Sequence, residues 1–161
     1  MRLKRQRLAI VLFTAAALTG CGSPSPQAEV ARQQAAAPQE ASVQFGDIIV
    51  RANAVATSGL SEPVARQYGV SREAGTVMLL VGVRRIADGD ETSLPARVTA
   101  RAVDLLGKRQ APEMREVRSG GFIDYVATVR VAAPETLRFD VDVATADGQR
   151  ASLQFNRDFF P

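Results

Sequence analysis

The strongest acid–base candidate in this 161-residue chain is a pair of carboxylates two positions apart, Asp140 and Asp142. They lie in a run where Leu137, Phe139, Val141 and Val143 alternate with Arg138 and the two aspartates. A period of two is that of a strand, so both acids share one face with Arg138, with Asp124 the nearest candidate from a neighbouring strand. General acid and base work needs carboxyls in different environments across a cleft. Two acids on one solvated face read instead as local ion pairing. The "DGDE" stretch from Asp88 to Glu91 offers oxygen ligands but lacks the length and spacing of a calcium loop, and reads as a polar hairpin tip. The chain has no histidine and one cysteine, which excludes Ser-His-Asp and Cys-His sites, His-containing metal centres, zinc clusters and an internal disulfide. Nucleotide-binding glycine fingerprints are also absent, so no catalytic residue, metal site or cofactor is assigned and the chain is read as a non-enzyme.

Arg72 and Arg138 are the residues with binding chemistry. Arginine forms planar bidentate bonds to carboxylates and phosphates. One reading makes the two arginines structural ties between a helix loop and a sheet. The other makes them contacts for an anionic ligand or partner near the helix end. Tyr68 and Tyr125 read as core or cap residues.

Cys21 has a different role. The chain opens on four cations, Arg2, Lys4, Arg5 and Arg7, then runs from Leu8 to Leu18 with Thr14 as its only polar residue. That is the charged and apolar order of a signal peptide; a membrane-spanning helix needs about 17 to 25 apolar residues. Leu18, Thr19, Gly20 and Cys21 resemble the lipobox of bacterial lipoproteins, which implies cleavage before Cys21 and lipid on its sulfur. Buried acyl chains contribute about 0.8 kcal/mol per methylene, and more than one chain gives stable anchoring. Gly22, with no aspartate at that position, implies by the same resemblance the outer membrane facing the periplasm; a soluble periplasmic product of plain signal cleavage is the alternative. The whole chain carries 20 cations against 17 anions, but the four early cations leave with the signal, so 16 face 17. Near-neutral charge outside the cytoplasm removes nucleic acid from the partners considered.

The chain divides at 1–20 (signal peptide), 21–42 (lipidated cysteine and tether) and 43–161 (one folded domain). The tether has Val30 as its only large apolar residue before Ser42 and cannot offset chain entropy by burial. It reaches roughly 25 Å as a coil and about 65 Å extended, enough for the domain to stand clear of the lipid. Strands are expected at Ile48–Ala56, Thr76–Ile86, Ala96–Leu105, Met114–Arg118, Phe122–Val129, Leu137–Val143 and Arg150–Phe159. Val103 and Asp104 break the alternation of the third, which predicts a bulge. The Asp-Gly pair in "ADGQ" from Ala146 to Gln149 predicts a tight hairpin. Ser61 as cap, Pro63 in the first turn and Gly69 as stop predict a helix from Glu62 to Tyr68, lying across an end of the fold with Leu60, Val64 and Tyr68 inward. The fold class is all-β: an immunoglobulin-like antiparallel sandwich of about seven strands with one short helix after the first strand.

Several stretches taken in order, "ANAVATSGLSEPVARQYGVSR", "LLGK", "GFIDYVA", "ETLRFDV" and "FNRDFFP", resemble a family of small bacterial envelope proteins, the domain of unknown function 4426. The resemblance covers about Asp47 to Pro161. It implies an exported domain and brings no catalytic or ligand residues with it. The expected function is a non-catalytic accessory or interaction module, held to a membrane by its lipid and binding an envelope protein, peptidoglycan or a glycan. A small-ligand binder for anions is the alternative, and a carboxylate-dependent hydrolase is a weaker one.

Overall fold

The computed structural model describes residues 40–161. The signal segment, Cys21 and the tether before Glu40 lie outside the described residues. Ten strands and one α-helix form two antiparallel sheets. The strands are β1 (Ala41–Phe45), β2 (Ile48–Ala56), β3 (Thr76–Ala87), β4 (Asp90–Ser93), β5 (Ala96–Val103), β6 (Arg109–Gln110), β7 (Arg115–Ser119), β8 (Phe122–Arg130), β9 (Glu135–Thr145) and β10 (Arg150–Phe159). The helix, α1, spans Glu62–Tyr68 and follows a 3-10 turn at Thr57–Gly59. The first sheet has the order β1-β2-β3-β8-β7, with β4 continuing on β3 beyond the end of β8; the second has the order β10-β9-β5-β6.

Alternation builds the core. Leu137, Phe139, Val141 and Val143 of β9 face Val77, Leu79, Val81 and Val83 of β3 across the sandwich, all buried. Phe139 stacks on Phe155 of β10 with ring centroids 5.2 Å apart. Tyr125 lies in the same core and ties the sheets together: its hydroxyl accepts the Ala96 N–H at 2.7 Å. Burial raises the Tyr125 phenol above its ordinary value. Among the described residues the core draws its buried members from Ile48 through Phe159.

The seven expected strands are present, with ends shifted by a residue or two, and three short strands join them. β1 takes in Ala41 and Ser42, the last two residues assigned to the tether. β4 reads DETS, with no apolar residue to signal it, and β6 has two residues. The bulge at Val103–Asp104 is absent. The register of β5 on β9 runs unbroken from Ala96↔Thr145 to Val103↔Arg138, and the strand simply ends before Asp104.

The helix has the expected limits, with Gly69 closing it in the left-handed region at φ 58°, which costs a residue without Cβ nothing. Ser61 occupies the cap position with its carbonyl accepting the Ala65 N–H, but its hydroxyl makes no cap bond. The placement also differs from expectation. α1 lies against the outer face of the first sheet, where Asp124, Ser119 and Arg115 all contact it. Ala65, Met78 and Val126 are buried there, outside the main core. This small second apolar layer draws the helix onto the sheet.

Candidate functional site

The helix is held to the sheet by a polar cluster. Arg84 of β3 donates to Asp124 Oδ1 at 2.5 Å, and to the carbonyls of Ile123 at 2.7 Å and Val83 at 3.1 Å. The other carboxylate oxygen of Asp124 accepts the Tyr68 hydroxyl at 3.3 Å. The Arg84 and Asp124 side chains are 12% and 15% exposed. Partial burial, then the neighbouring Asp124 carboxylate, raises the Tyr68 phenol above its ordinary value. Gly82 makes room for Arg84, since a Cβ there would meet the guanidinium at 3.2 Å. Arg115 of β7 completes the attachment by donating to the carbonyls of Tyr68 and Gly69.

Fixing α1 in this way sets the loop that follows it as one wall of a cleft of about 750 Å³. Gly69, Val70, Ser71 and Glu73 form that wall, and Gln110, Glu113, Met114 and Arg115 form the opposite one. The floor is β8 from Val126 to Arg130. This is the part of β8 that β7 leaves uncovered, because their pairing stops at Arg115↔Val126. At the far end the Gln110 side chain substitutes for a strand: its amide accepts the Arg130 N–H at 2.9 Å and donates to the Arg130 carbonyl at 2.8 Å. Backbone groups of a strand alternate in direction. Thr128 therefore points its N–H and C=O to the same side as those of Val126 and Arg130, into the cleft, with no strand beside it. Among the described residues none donates to or accepts from these two groups.

The charges around the cleft balance. Glu73 and Glu113 face Arg115 and Arg130, and Arg130 is paired with Glu73 at 3.2 Å. The arrangement has an open hydrogen-bonding edge, and the four charges that line it sum to zero.

Of the candidate residues read from the sequence, Arg72 lies beside the cleft and the others lie away from it. Arg72 is exposed in the loop after α1, between the cleft residues Ser71 and Glu73, and forms no ion pair or hydrogen bond among the described residues. Arg138 lies on the second sheet, 3.5 Å from Asp140, and lines no part of the cleft. Asp140 and Asp142 accept hydrogen bonds from Gln154 and Ser152 on β10, and Asp124 belongs to the other sheet. The "DGDE" segment is the β3–β4 hairpin, and its Glu91 carboxylate is held by Arg51 through two bonds of 2.6 Å, which keep it below the usual carboxylate range. Among the described residues no group of three or more His, Cys, Asp or Glu is placed to hold a metal ion. No described helix is long and apolar enough to cross a membrane. The sequence reading missed Thr128 and Gln110, whose roles depend on where β7 ends. The "GFIDYVATVR" run that contains Thr128 shows a strand but not which side of it is open.

Three comparisons place this architecture. A crystal structure of a DUF4426 family protein from Pseudomonas aeruginosa PAO1 is 30% identical, with a TM-score of 0.63, covering 76% of this chain and 95% of that one. FetP of uropathogenic Escherichia coli strain F11 shares the fold at 12% identity in a copper-bound variant form, with a TM-score of 0.53 and coverage of 77% and 93%. The as-isolated form of FetP, expressed in the periplasm, gives 11% identity and a TM-score of 0.52, over 74% of this chain and 95% of that one. No curated protein matches the chain. The family model described as domain of unknown function (DUF4426) matches residues 42–161, from the second residue of β1 to the last residue. With that match over the whole sandwich, the chain belongs to the DUF4426 family.

Proposed function

We propose that this chain is an exported, lipid-anchored and non-catalytic module of the bacterial envelope that takes up an extended segment of a partner protein along the open edge of β8. The observation that carries this reading is the Thr128 backbone, whose donor and acceptor have no partner among the described residues and lie between a strand-paired residue and one capped by Gln110. Extended peptides bind such edges through their main chain, and side-chain pockets beside the edge give specificity. The balanced charges of the walls suit a polyamide better than an anion. Arg72, exposed beside the cleft, is placed to meet an acidic side chain of the bound segment. The lipid on Cys21 would hold the module at the outer membrane on its periplasmic side.

The test places a photo-crosslinking residue at Glu113, in the cleft wall, and a control at Asp142 on the other sheet. Crosslinks to a partner from the first position alone are expected. Thr128→Pro removes the N–H that faces the cleft without removing a bond to β3, a substitution that edge positions tolerate. It should abolish the crosslinks while the circular dichroism spectrum is unchanged, and Thr128→Val should keep them. Full crosslinking by Thr128→Pro overturns the edge reading. A rise in melting temperature with inorganic phosphate or citrate, without crosslinks, favours the anion binder.

A further inference from the structure

Three large apolar side chains stand out into solvent at one end of the second sheet: Leu105 at 76% exposure, Leu106 at 92% and Phe160 at 76%. They are neighbours in the fold. The Leu105 N–H donates to Glu135 Oε1 at 3.4 Å, and Glu135 is the register partner of Phe159. The leucines are held out by a built turn. The Asp104 carboxylate accepts the N–H groups of Leu106 at 3.0 Å and Lys108 at 2.8 Å, and the Gly107 N–H returns to the Asp104 carbonyl at 3.0 Å. Gly107 has φ 83°, a conformation that side chains resist. Lys108 and Arg109, both exposed, follow directly.

The described chain begins at mid-sheet, with Glu40 paired to Arg51, the arginine that also holds Glu91 of the β3–β4 hairpin. β1 begins at Ala41 opposite Ala52 and runs toward the β1–β2 hairpin, where Asp47 and Asp147 share Arg85. Its N-terminal end therefore points the other way, along β2 toward Thr57. From Thr57 a chain of contacts through Glu73, Arg130 and Gln110 leads to the end of β5, beside Leu105.

We propose that Leu105, Leu106 and Phe160 form a membrane-contact tip that inserts into the interfacial layer of a phospholipid bilayer, with Lys108 and Arg109 facing anionic headgroups. Apolar side chains that enter this layer beside basic ones bind in proportion to the buried area and the headgroup charge. The tip draws on the lipid-anchor reading for its supply of bilayer.

The chain has no tryptophan, so Leu106→Trp supplies a single reporter and Gln149→Trp, in the β9–β10 hairpin at the opposite end, a control. Each processed protein is mixed with vesicles of phosphatidylethanolamine and phosphatidylglycerol that contain brominated phospholipid. Co-sedimentation reads the anchor, and tryptophan quenching reads the tip. A blue-shifted, quenched signal is expected from Leu106→Trp and not from Gln149→Trp. If the protein does not co-sediment, the anchor reading fails, and the same quenching is then expected at excess lipid. Added to Cys21→Ser, Leu105→Ser with Phe160→Ser should weaken vesicle partitioning by about tenfold or more. Equal quenching at both positions, or none at excess lipid, overturns the proposal. So does a concentration-dependent blue shift without vesicles, which would assign the tip to a second copy of the chain.

Discussion

Replacing Asp124 by leucine leaves the Arg84 guanidinium, 12% exposed, without its counter-ion, and the Tyr68 hydroxyl without its acceptor. Removing one partner of a buried ion pair costs about 3–5 kcal/mol. Arg84 keeps its bonds to the carbonyls of Val83 and Ile123, so the low end applies, about 3 kcal/mol. For a domain of this size that lowers the melting temperature by on the order of 10 °C. Combining Asp124→Leu with Arg84→Met removes the uncompensated charge and should recover most of the loss, leaving about 1 kcal/mol. Tyr68→Phe alone should cost about 1 kcal/mol, the net worth of one hydrogen bond. Urea and thermal unfolding followed by circular dichroism measure all four proteins. An Asp124→Leu variant within about 1 kcal/mol of the parent would refute the reasoning, as would a double variant no more stable than the single. The cluster positions α1, and α1 positions one wall of the cleft.

Other outcomes follow from the same structure. Both tyrosines of the chain have raised phenols, so the midpoint of phenolate absorbance should lie above the ordinary value near 10. Because the folded state holds these protons more tightly, the associated stability is complete below about pH 10 and falls as pH rises through the folded values; ordinary titration of either phenol in the native protein contradicts this. Phe139→Ala empties a fully buried, stacked position and should cost about 3–5 kcal/mol, read by urea unfolding. Gly82→Ala pushes a Cβ against Arg84 and should cost about 1–3 kcal/mol, and much less when Arg84 is already methionine; equal costs in both backgrounds would show that the guanidinium is not the obstacle.

Most of the strand positions are legible in the sequence because alternation is a local property. Leu137, Phe139, Val141 and Val143 point inward in the sequence pattern and in the structure. The helix was legible for the same reason: Pro63 in its first turn and Gly69 at its end act within a few residues. The short strands β1, β4 and β6 were not, since their existence depends on which neighbour lies within bonding distance.

The candidate site belongs wholly to this second kind of information. Sequence marked Arg72 and Arg138 because arginine is versatile, yet only the fold puts the first in the loop beside the cleft and the second on the other sheet. It read Asp124 as a possible neighbour of Asp140, while the fold pairs it with Arg84, forty positions away. The open edge at Thr128 exists because β7 stops at Arg115 and because the Gln110 amide closes the next residue. By itself the sequence determined the all-β class, the helix limits and the inward faces, which arise from periodicity and backbone preference. Tertiary structure alone decided the cleft, the buried ion pair and the apolar tip, because each depends on distances between residues far apart in the chain.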